Sequence, residues 1–110
     1  MLSIEGEWTV RMVDDMVLND DSAKLPIIRM GDGQIFATAG CNSMGGNYAY
    51  ADGVLTIADG MCQTEMWCGN DAMMRNERML GETLRDTLTI TAIGQDSLIM
   101  RGMHKIMITK

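Results

Sequence analysis

The sequence predicts a mainly β domain (α+β by content): a curved antiparallel sheet or partly closed barrel of about eight short strands with one packed α-helix. Three observations support this fold class. Apolar and polar residues alternate with a period of two through most of the chain, turn-forming pairs separate the alternating runs, and one stretch after residue 70 changes to a helical pattern. The length of 110 residues and the apolar content of 46 % predict one domain spanning residues 1–110.

The first alternating run predicts a strand with one buried face. On that face lie Ile4, Gly6, Trp8, Val10 and Met12, while the residues between them are charged or polar. Acidic and polar residues at 14–15 and 19–22 then predict turns or loops. The next strand, at 27–30, follows Pro26, a residue that suits the start or the edge of a strand.

Short turn sequences divide the rest of the sheet. Gly31-Asp32-Gly33 predicts a tight reversal into a strand at 34–39, and Asp52-Gly53 predicts a type I′ hairpin between strands at 47–51 and 54–58. Strands at 87–92 and 98–101, and a last one carrying Ile106 and Ile108, complete the prediction.

The stretch Asn70–Arg85 predicts the helix. Asn70 is suited to cap its N-terminus, and the acidic residue after it interacts favourably with the helix dipole. Gly81 costs about 1 kcal/mol relative to Ala inside a helix, so the helix could end early. We expect the helix to plug one opening of the sheet with the apolar residues that fall on one side: Met73, Leu80 and Leu84.

Two short motifs stand out in this framework: Gly40-Cys41-Asn42 followed by Gly46 and Tyr48, and Thr64-x-Met66-x-Cys68. In this order, among β-type segments, they resemble the paired signature of the META domain family, the family of the bacterial heat-shock protein HslJ. Gly6-Glu7-Trp8 also resembles the opening Trp strand of that family, so the resemblance spans essentially the whole chain. It implies a mainly β fold with one packed helix, and an association with stress, virulence and secretion.

The resemblance implies structural roles for the signature residues. Gly40 would allow an unusual backbone at the end of a strand, and Cys41 would fill a small apolar slot. Asn42 would tolerate the left-handed region and could bond the local backbone. Thr64 and Met66 would seat the segment before the helix.

Cys68 ends the second motif, after Trp67, which stands where the family more usually has a small residue or Met. Trp67 is bulky and needs a partner for its indole N–H, so we expect it to disturb the local packing. Cys41 and Cys68 are expected to lie near each other at the base of the helix, either bonded or side by side. We expect Cys62 to be a free, partly buried thiol, because an odd number of cysteines cannot form a complete disulfide framework.

Metal binding is disfavoured by the spacing of the candidate ligands. The three cysteines and His104 could supply a zinc site arithmetically, but the usual Cys-x₂₋₄-Cys spacing is missing. Thirteen methionines could offer soft ligands for copper or an adaptable partner surface. Their densest grouping comprises Met73-Met74, Met79 and the segment 61–68, while most of the others are expected to fill the core. We predict no cofactor.

The net charge of −6 disfavours binding to nucleic acid and to anionic membrane surfaces. No apolar run reaches the roughly 18 residues needed to cross a membrane, and the first residues lack the features of a signal peptide. We therefore expect a cytoplasmic protein, or a periplasmic or outer-membrane lipoprotein if a leader has been removed. Within the family, the compact length and missing leader look most like members from kinetoplastid parasites, which lie near the flagellar pocket.

Catalysis finds little support in the sequence. His104 lies in a Gly-Met-His-Lys turn and is expected to be a solvated loop residue, and no glycine-rich phosphate loop precedes the helix. We therefore expect a non-enzymatic monomer that binds an unidentified protein partner, as a binding or scaffold module, through a sheet edge or a methionine-rich patch. Two alternatives are a soft-metal (Cu or Zn) or thiol-redox protein using the Cys/Met cluster, and a barrel that holds a small apolar ligand.

Overall fold

The structure is a computed structural model that describes residues 4–18, 25–64, 66–67 and 69–110; of residues 59–61 and 63 it describes the backbone alone. The predicted loop at residues 19–22 lies outside the described residues. Within the described part of the chain the elements are β1 (Gly6–Val13), β2 (Met16–Val17), β3 (Ile27–Gly31), β4 (Gln34–Thr38), β5 (Ser43–Ala51), β6 (Val54–Gln63), α1 (Asp71–Thr83), β7 (Thr87–Ala92), β8 (Ser97–Arg101) and β9 (Lys105–Thr109).

The strands form a closed antiparallel barrel. Its order is β1-β3-β4-β5-β6-β7-β8-β9, and β9 pairs in turn with β1. The two-residue strand β2 is an addition that pairs with the end of β1. The mainly β fold with one helix is therefore confirmed, and the barrel closes fully because β1 pairs with β3 through residues 6–9 and with β9 through residues 9–13.

The interior of the barrel is filled by its own side chains. Every strand of the closed barrel contributes to one apolar cluster of buried residues, β5 through Met44 with the partly buried Tyr48 and Tyr50 beside it. Trp8 is the largest of them, and its indole Nε1 donates to the carbonyl oxygen of Ile4 at 2.9 Å, which satisfies the N–H inside the core. Other members that are almost fully buried are Ile28, Ile35, Met44, Leu55, Leu88, Leu98, Met100, Ile106 and Ile108.

Strand β1 departs from the predicted alternation at Arg11. The register against β9 shifts between Val10 and Met12, so Arg11 is an extra residue of the kind found in a β-bulge. After the bulge the faces exchange: Val13 is buried, whereas Met12 is only half-buried. The prediction that Met12 belongs to the buried face of β1 is wrong for this reason.

Both predicted Asp-Gly turns have the left-handed backbone that a type I′ hairpin needs. The φ angles are 51° at Asp32 and 76° at Gly33, and 53° at Asp52 and 77° at Gly53. Asp14, in the turn between β1 and β2, also has a positive φ of 55°. The sequence predicted this turn, but not the short strand β2 that follows it.

Helix α1 begins where the sequence predicts and ends slightly early. The Oδ1 of Asn70 accepts from the N–H of Met73 at 3.0 Å, and the N–H of Leu84 donates to the carbonyl of Leu80 at 2.8 Å, which closes the last turn. Leu80 and Leu84 join the barrel core. Within the described residues no helix has the length and apolar character needed to cross a membrane.

Gly102, in the turn between β8 and β9, faces the C-terminal end of the helix. A Cβ at this position would meet the side chain of Leu88 and the carbonyl oxygen of Thr83, the latter at 2.9 Å. We predict that Gly102→Ala lowers the free energy of unfolding by about 1–3 kcal/mol, because the contact overpacks the helix against the barrel. Gly31→Ala is the matched control, since a Cβ at Gly31 meets nothing within 4 Å. Urea denaturation measures both, and equal midpoints would contradict the proposed contact.

Candidate functional site

The two signature motifs meet at Asn42, whose side chain is 1 % exposed. Its Nδ2 donates to the carbonyl oxygen of Met66 at 2.9 Å, and its Oδ1 accepts from the N–H of Met66, also at 2.9 Å. The carboxamide therefore pairs with the backbone of one residue much as a neighbouring strand would. Its Oδ1 also accepts from the hydroxyl of Thr64 at 3.1 Å. These contacts fix the segment that leads from β6 to α1.

Two threonine hydroxyls support Asn42 from either side. Thr38 Oγ1 donates to the backbone carbonyl of Asn42 at 2.8 Å and accepts from the N–H of Gly40 at 3.1 Å. Thr64 Oγ1 accepts from the N–H of Ser43 at 3.1 Å. Gly40 has a φ of 110°, in the region that favours glycine, and so turns the chain between β4 and β5.

Asn42 differs from the sequence expectation. Its side chain binds Met66, 24 residues away, in place of the local backbone. Its backbone does not use the left-handed region that asparagine tolerates. The left-handed residue of the motif is Gly40 alone. Sequence reasoning missed the role of Asn42 because its partner reaches it only after β6 has paired with β5.

The cysteines have different states. Cys41 is disulfide-bonded and half-buried, whereas Cys62, on β6, is a free and exposed thiol. Cys68 lies outside the described residues, so the proximity of Cys41 and Cys68 stays a prediction. A disulfide-bonded sulfur has no thiolate to offer a metal. Among the described residues, no group of three or more His, Cys, Asp or Glu side chains is arranged to hold a metal ion.

A groove of 610 Å³, here called the α1 groove, lies beside the Asn42 junction. One wall is the loop before α1, where the side chains of Met66 and Trp67 are 60 % and 67 % exposed. Trp67, which was predicted to disturb the local packing, is instead largely exposed to solvent. Asn42 also lines the groove, and the helical side is formed by Met74, Glu77, Arg78, Gly81, Glu82 and Arg85.

The charged side chains that line the α1 groove differ in how far they are exposed to solvent. Glu77 is buried, and Glu82 is engaged by His104. Arg78 and Arg85 are exposed, and Arg85 Nε donates to the carbonyl of Gly81 at 3.0 Å. Arg78 has no ion pair with any described residue. In a protein of net charge −6, the groove thus presents guanidinium groups to solvent.

His104 joins the helix to the barrel at the edge of the α1 groove. Its Nδ1 lies 2.9 Å from Asp14 Oδ2, and its Nε2 lies 3.0 Å from Glu82 Oε1, with the side chain 21 % exposed. Because both ring nitrogens face carboxylates, both donate only in the imidazolium form. The hydrogen bond to Glu82, followed by that to Asp14, raises the pKa of His104. The hydrogen bond from His104 in turn lowers the pKa of Asp14.

His104 lies in the loop between β8 and β9, as predicted, but it is engaged by two carboxylates and is only partly exposed. Its partners lie 90 and 22 residues away in the chain, so no local pattern reveals them. The contact with Asp14 exists because β1 closes on β9, which places the turns at the ends of these strands together. The one sequence signal for this contact was the predicted acidic turn after β1. Its link to His104 can be recognised only once the strand order is known.

The remaining signature residues lie on β5 and do not line the α1 groove. Gly46 pairs with β4, and the backbone N–H of Tyr48 donates to the carbonyl of Gly33 at 2.8 Å. Tyr48 is half-buried; burial, and then the carboxylates of Glu5 and Asp32, raise the pKa of its hydroxyl. These residues are part of the β4–β5 pairing.

The family model that describes the META domain matches residues 2–109. The chain belongs to the META domain family. A solved structure described only as an NMR structure of a protein resembles this META domain with a TM-score of 0.75 and 19 % sequence identity, over 94 % of this chain and 86 % of that chain. At that identity the likeness shows a shared fold. No curated protein matches the chain.

The Asn42 junction can be tested by removing its carboxamide. In Asn42→Ala the backbone N–H and carbonyl of Met66 lose their partner, so we predict a loss of about 2–3 kcal/mol in the free energy of unfolding of this META domain. Asn47→Ala, at an exposed position on β5, the strand that follows Asn42, should change it by less than about 0.5 kcal/mol. Denaturant titration compares them, and hydrogen exchange should show faster exchange of the Met66 amide in Asn42→Ala alone. Similar midpoints for both variants would mean that the carboxamide does not hold the loop.

The contacts of His104 with Asp14 and Glu82, here called the His104 cluster, predict how stability depends on pH. A raised pKa means that the stabilisation is complete below the reference value of 6.5 and is lost as the pH rises through the folded-state pKa. We predict that the melting temperature of the META domain falls across this window, by the equivalent of about 0.5–1 kcal/mol for a partly exposed ion pair. His104→Asn should lack this component. Melting temperatures that vary with pH in the same way in both proteins would refute the imidazolium assignment.

Proposed function

We propose that this META domain is a non-enzymatic protein-binding module and that the α1 groove is its binding surface. The observation that supports this most is the exposure of Met66 and Trp67 directly beside the exposed guanidinium groups of Arg78 and Arg85. Trp and Arg are the side chains that most often dominate the binding energy of protein interfaces. Their concentration around one concave surface favours binding there over binding at a scattered set of exposed residues.

The occupant that fits the α1 groove is a short segment of a partner protein with an apolar side chain next to a carboxylate. The apolar side chain would lie against Trp67, Met66 and Met74, since thioether side chains adapt to irregular shapes. The carboxylate would pair with Arg78, because a guanidinium group donates two parallel hydrogen bonds to a carboxylate. Glu77 is buried and Glu82 is held by His104, so neither carboxylate competes strongly for Arg78.

The chemistry near the groove supports a non-enzymatic role. Both ring nitrogens of His104 face carboxylates, at 2.9 and 3.0 Å, so neither nitrogen is free to contact a substrate. Cys41, next to Asn42 in the chain, is disulfide-bonded and therefore has no thiolate to act as a nucleophile. A role in stress, virulence or secretion, as the family resemblance implies, would be exerted through the bound partner.

The two alternative functions have different support. The barrel interior is occupied by its own side chains, which argues against a small apolar ligand inside it. A soft-metal site would have to do without the thiolate of Cys41. The half-buried disulfide at Cys41 is the observation that favours a redox role, and loss of partner binding on reduction of that bond would assign this role to it.

Matched variants test the proposed surface. Peptides displayed on phage and selected on the wild-type protein should be enriched in an acidic residue next to an apolar one. We predict that Trp67→Ala and Arg78→Ala each weaken the selected peptide about tenfold or more, the loss expected at an interface hot spot. Phe36→Ala removes an exposed aromatic ring outside the groove, and Arg75→Ala removes an exposed guanidinium from the same helix. If these controls lose as much binding, or if the groove variants lose none, the binding surface lies elsewhere.

A further inference from the structure

We propose that protonation of His104 regulates the α1 groove by deciding which cation Glu82 binds. With His104 protonated, Glu82 stays on the imidazolium and Arg78 is left for a carboxylate of the partner. With His104 neutral, Glu82 turns to Arg78 and competes with the partner for it. This inference rests on the proposed function, because it assumes that the partner supplies the carboxylate.

Glu82 belongs to both the His104 cluster and the α1 groove. Its Oε1 lies 3.0 Å from His104 Nε2, its side chain is 39 % exposed, and the residue lines the groove together with Arg78. Arg78 precedes it by four residues in α1, a spacing that places two side chains next to each other on a helix surface. A rotation of the Glu82 side chain therefore moves its carboxylate from His104 to Arg78.

The number of protons on the ring determines which carboxylate is released. A neutral imidazole has one N–H, so its second nitrogen presents a lone pair to a carboxylate at hydrogen-bond distance, which is repulsive. Asp14 has a second anchor, because its Oδ1 accepts from the N–H of Lys105 at 3.1 Å. Glu82 has no other hydrogen bond to a described residue. The remaining proton therefore stays at Nδ1, facing Asp14, and Glu82 is the group set free.

The charges around His104 come from each element that packs against it. Asp14 and Asp15 lie in the turn before β2, Glu82 in α1 and Lys105 at the start of β9. Lys105 Nζ lies 3.4 Å from Asp15 Oδ1, so these two charges largely compensate each other. The hydrogen bonds to Glu82 and Asp14 raise the pKa of His104, so the exchange takes place at a higher pH than the titration of an unperturbed imidazole.

The exchange is tested first without any partner, by NMR titration between about pH 5.5 and about pH 9, a range chosen to follow the loss of the histidine proton. In the wild-type protein the Nε–Hε resonance of Arg78 should shift with the same midpoint as the ring of His104. In Glu82→Gln, His104 should still titrate while Arg78 stays unchanged, and Arg75 serves as the internal reference in both proteins. A resonance of Arg78 that ignores the titration of His104 overturns the proposal.

The second measurement uses the phage-selected peptide, whose Asp and Glu carboxylates stay ionised throughout this pH range. Its Kd should be about threefold weaker at about pH 8.5 than at about pH 5.5, the effect of one exposed ion pair. Glu82→Gln should lose this pH dependence, and His104→Asn should bind weakly at both pH values. Binding that requires Arg78 but does not change with pH overturns the regulation and leaves the proposed function intact. Failure to select any peptide counts against the proposed function, and the NMR titration then decides the regulation alone.

Discussion

The helical end of this META domain depends on one buried carboxamide. Asn42 lies immediately before β5, and by pairing with both backbone groups of Met66 it determines the route by which the chain leaves β6 and enters α1. An amide buried with its hydrogen-bonding groups satisfied rigidifies its surroundings, whereas the same amide without partners would be strongly destabilising. The position of Trp67 follows directly, because it is the next residue in the chain. One wall of the α1 groove is thus held by neutral hydrogen bonds that do not respond to pH.

The helical wall of the α1 groove is held in place by a different set of contacts. The helix reaches the barrel through apolar contacts of Leu80 and Leu84 and through the charged contact of Glu82 with His104. Apolar packing is insensitive to protonation, so it keeps the helix in place while the charged contact can change. The α1 groove therefore combines a rigid loop with a helix whose exposed charges are adjustable. Such a division lets a binding surface alter its electrostatics without unfolding the element that carries it.

Features of local origin could be predicted from the sequence, and features of distant origin could not. The turns at Asp32-Gly33 and Asp52-Gly53, and the cap at Asn70, follow from the preferences of a few adjacent residues. The extra residue Arg11 in β1 is created by pairing with β9, which local alternation does not encode. The same is true of the candidate site: the motifs could be recognised, but the contacts of Asn42 and His104 need the complete strand order.

Closure of the barrel between β1 and β9 has a consequence for how the chain is made. Arg11 Nε donates to Thr109 Oγ1 across 98 positions, so these contacts of β1 cannot form until β9 has been synthesised. At about 5–20 residues per second, one flank of β1 stays unpaired for several seconds on the ribosome. Topologies dominated by such distant pairings fold slowly, and an apolar strand with an open flank is prone to association with other nascent chains. In the folded domain β9 covers this edge of β1. The risk of association is therefore greatest before β9 has been synthesised.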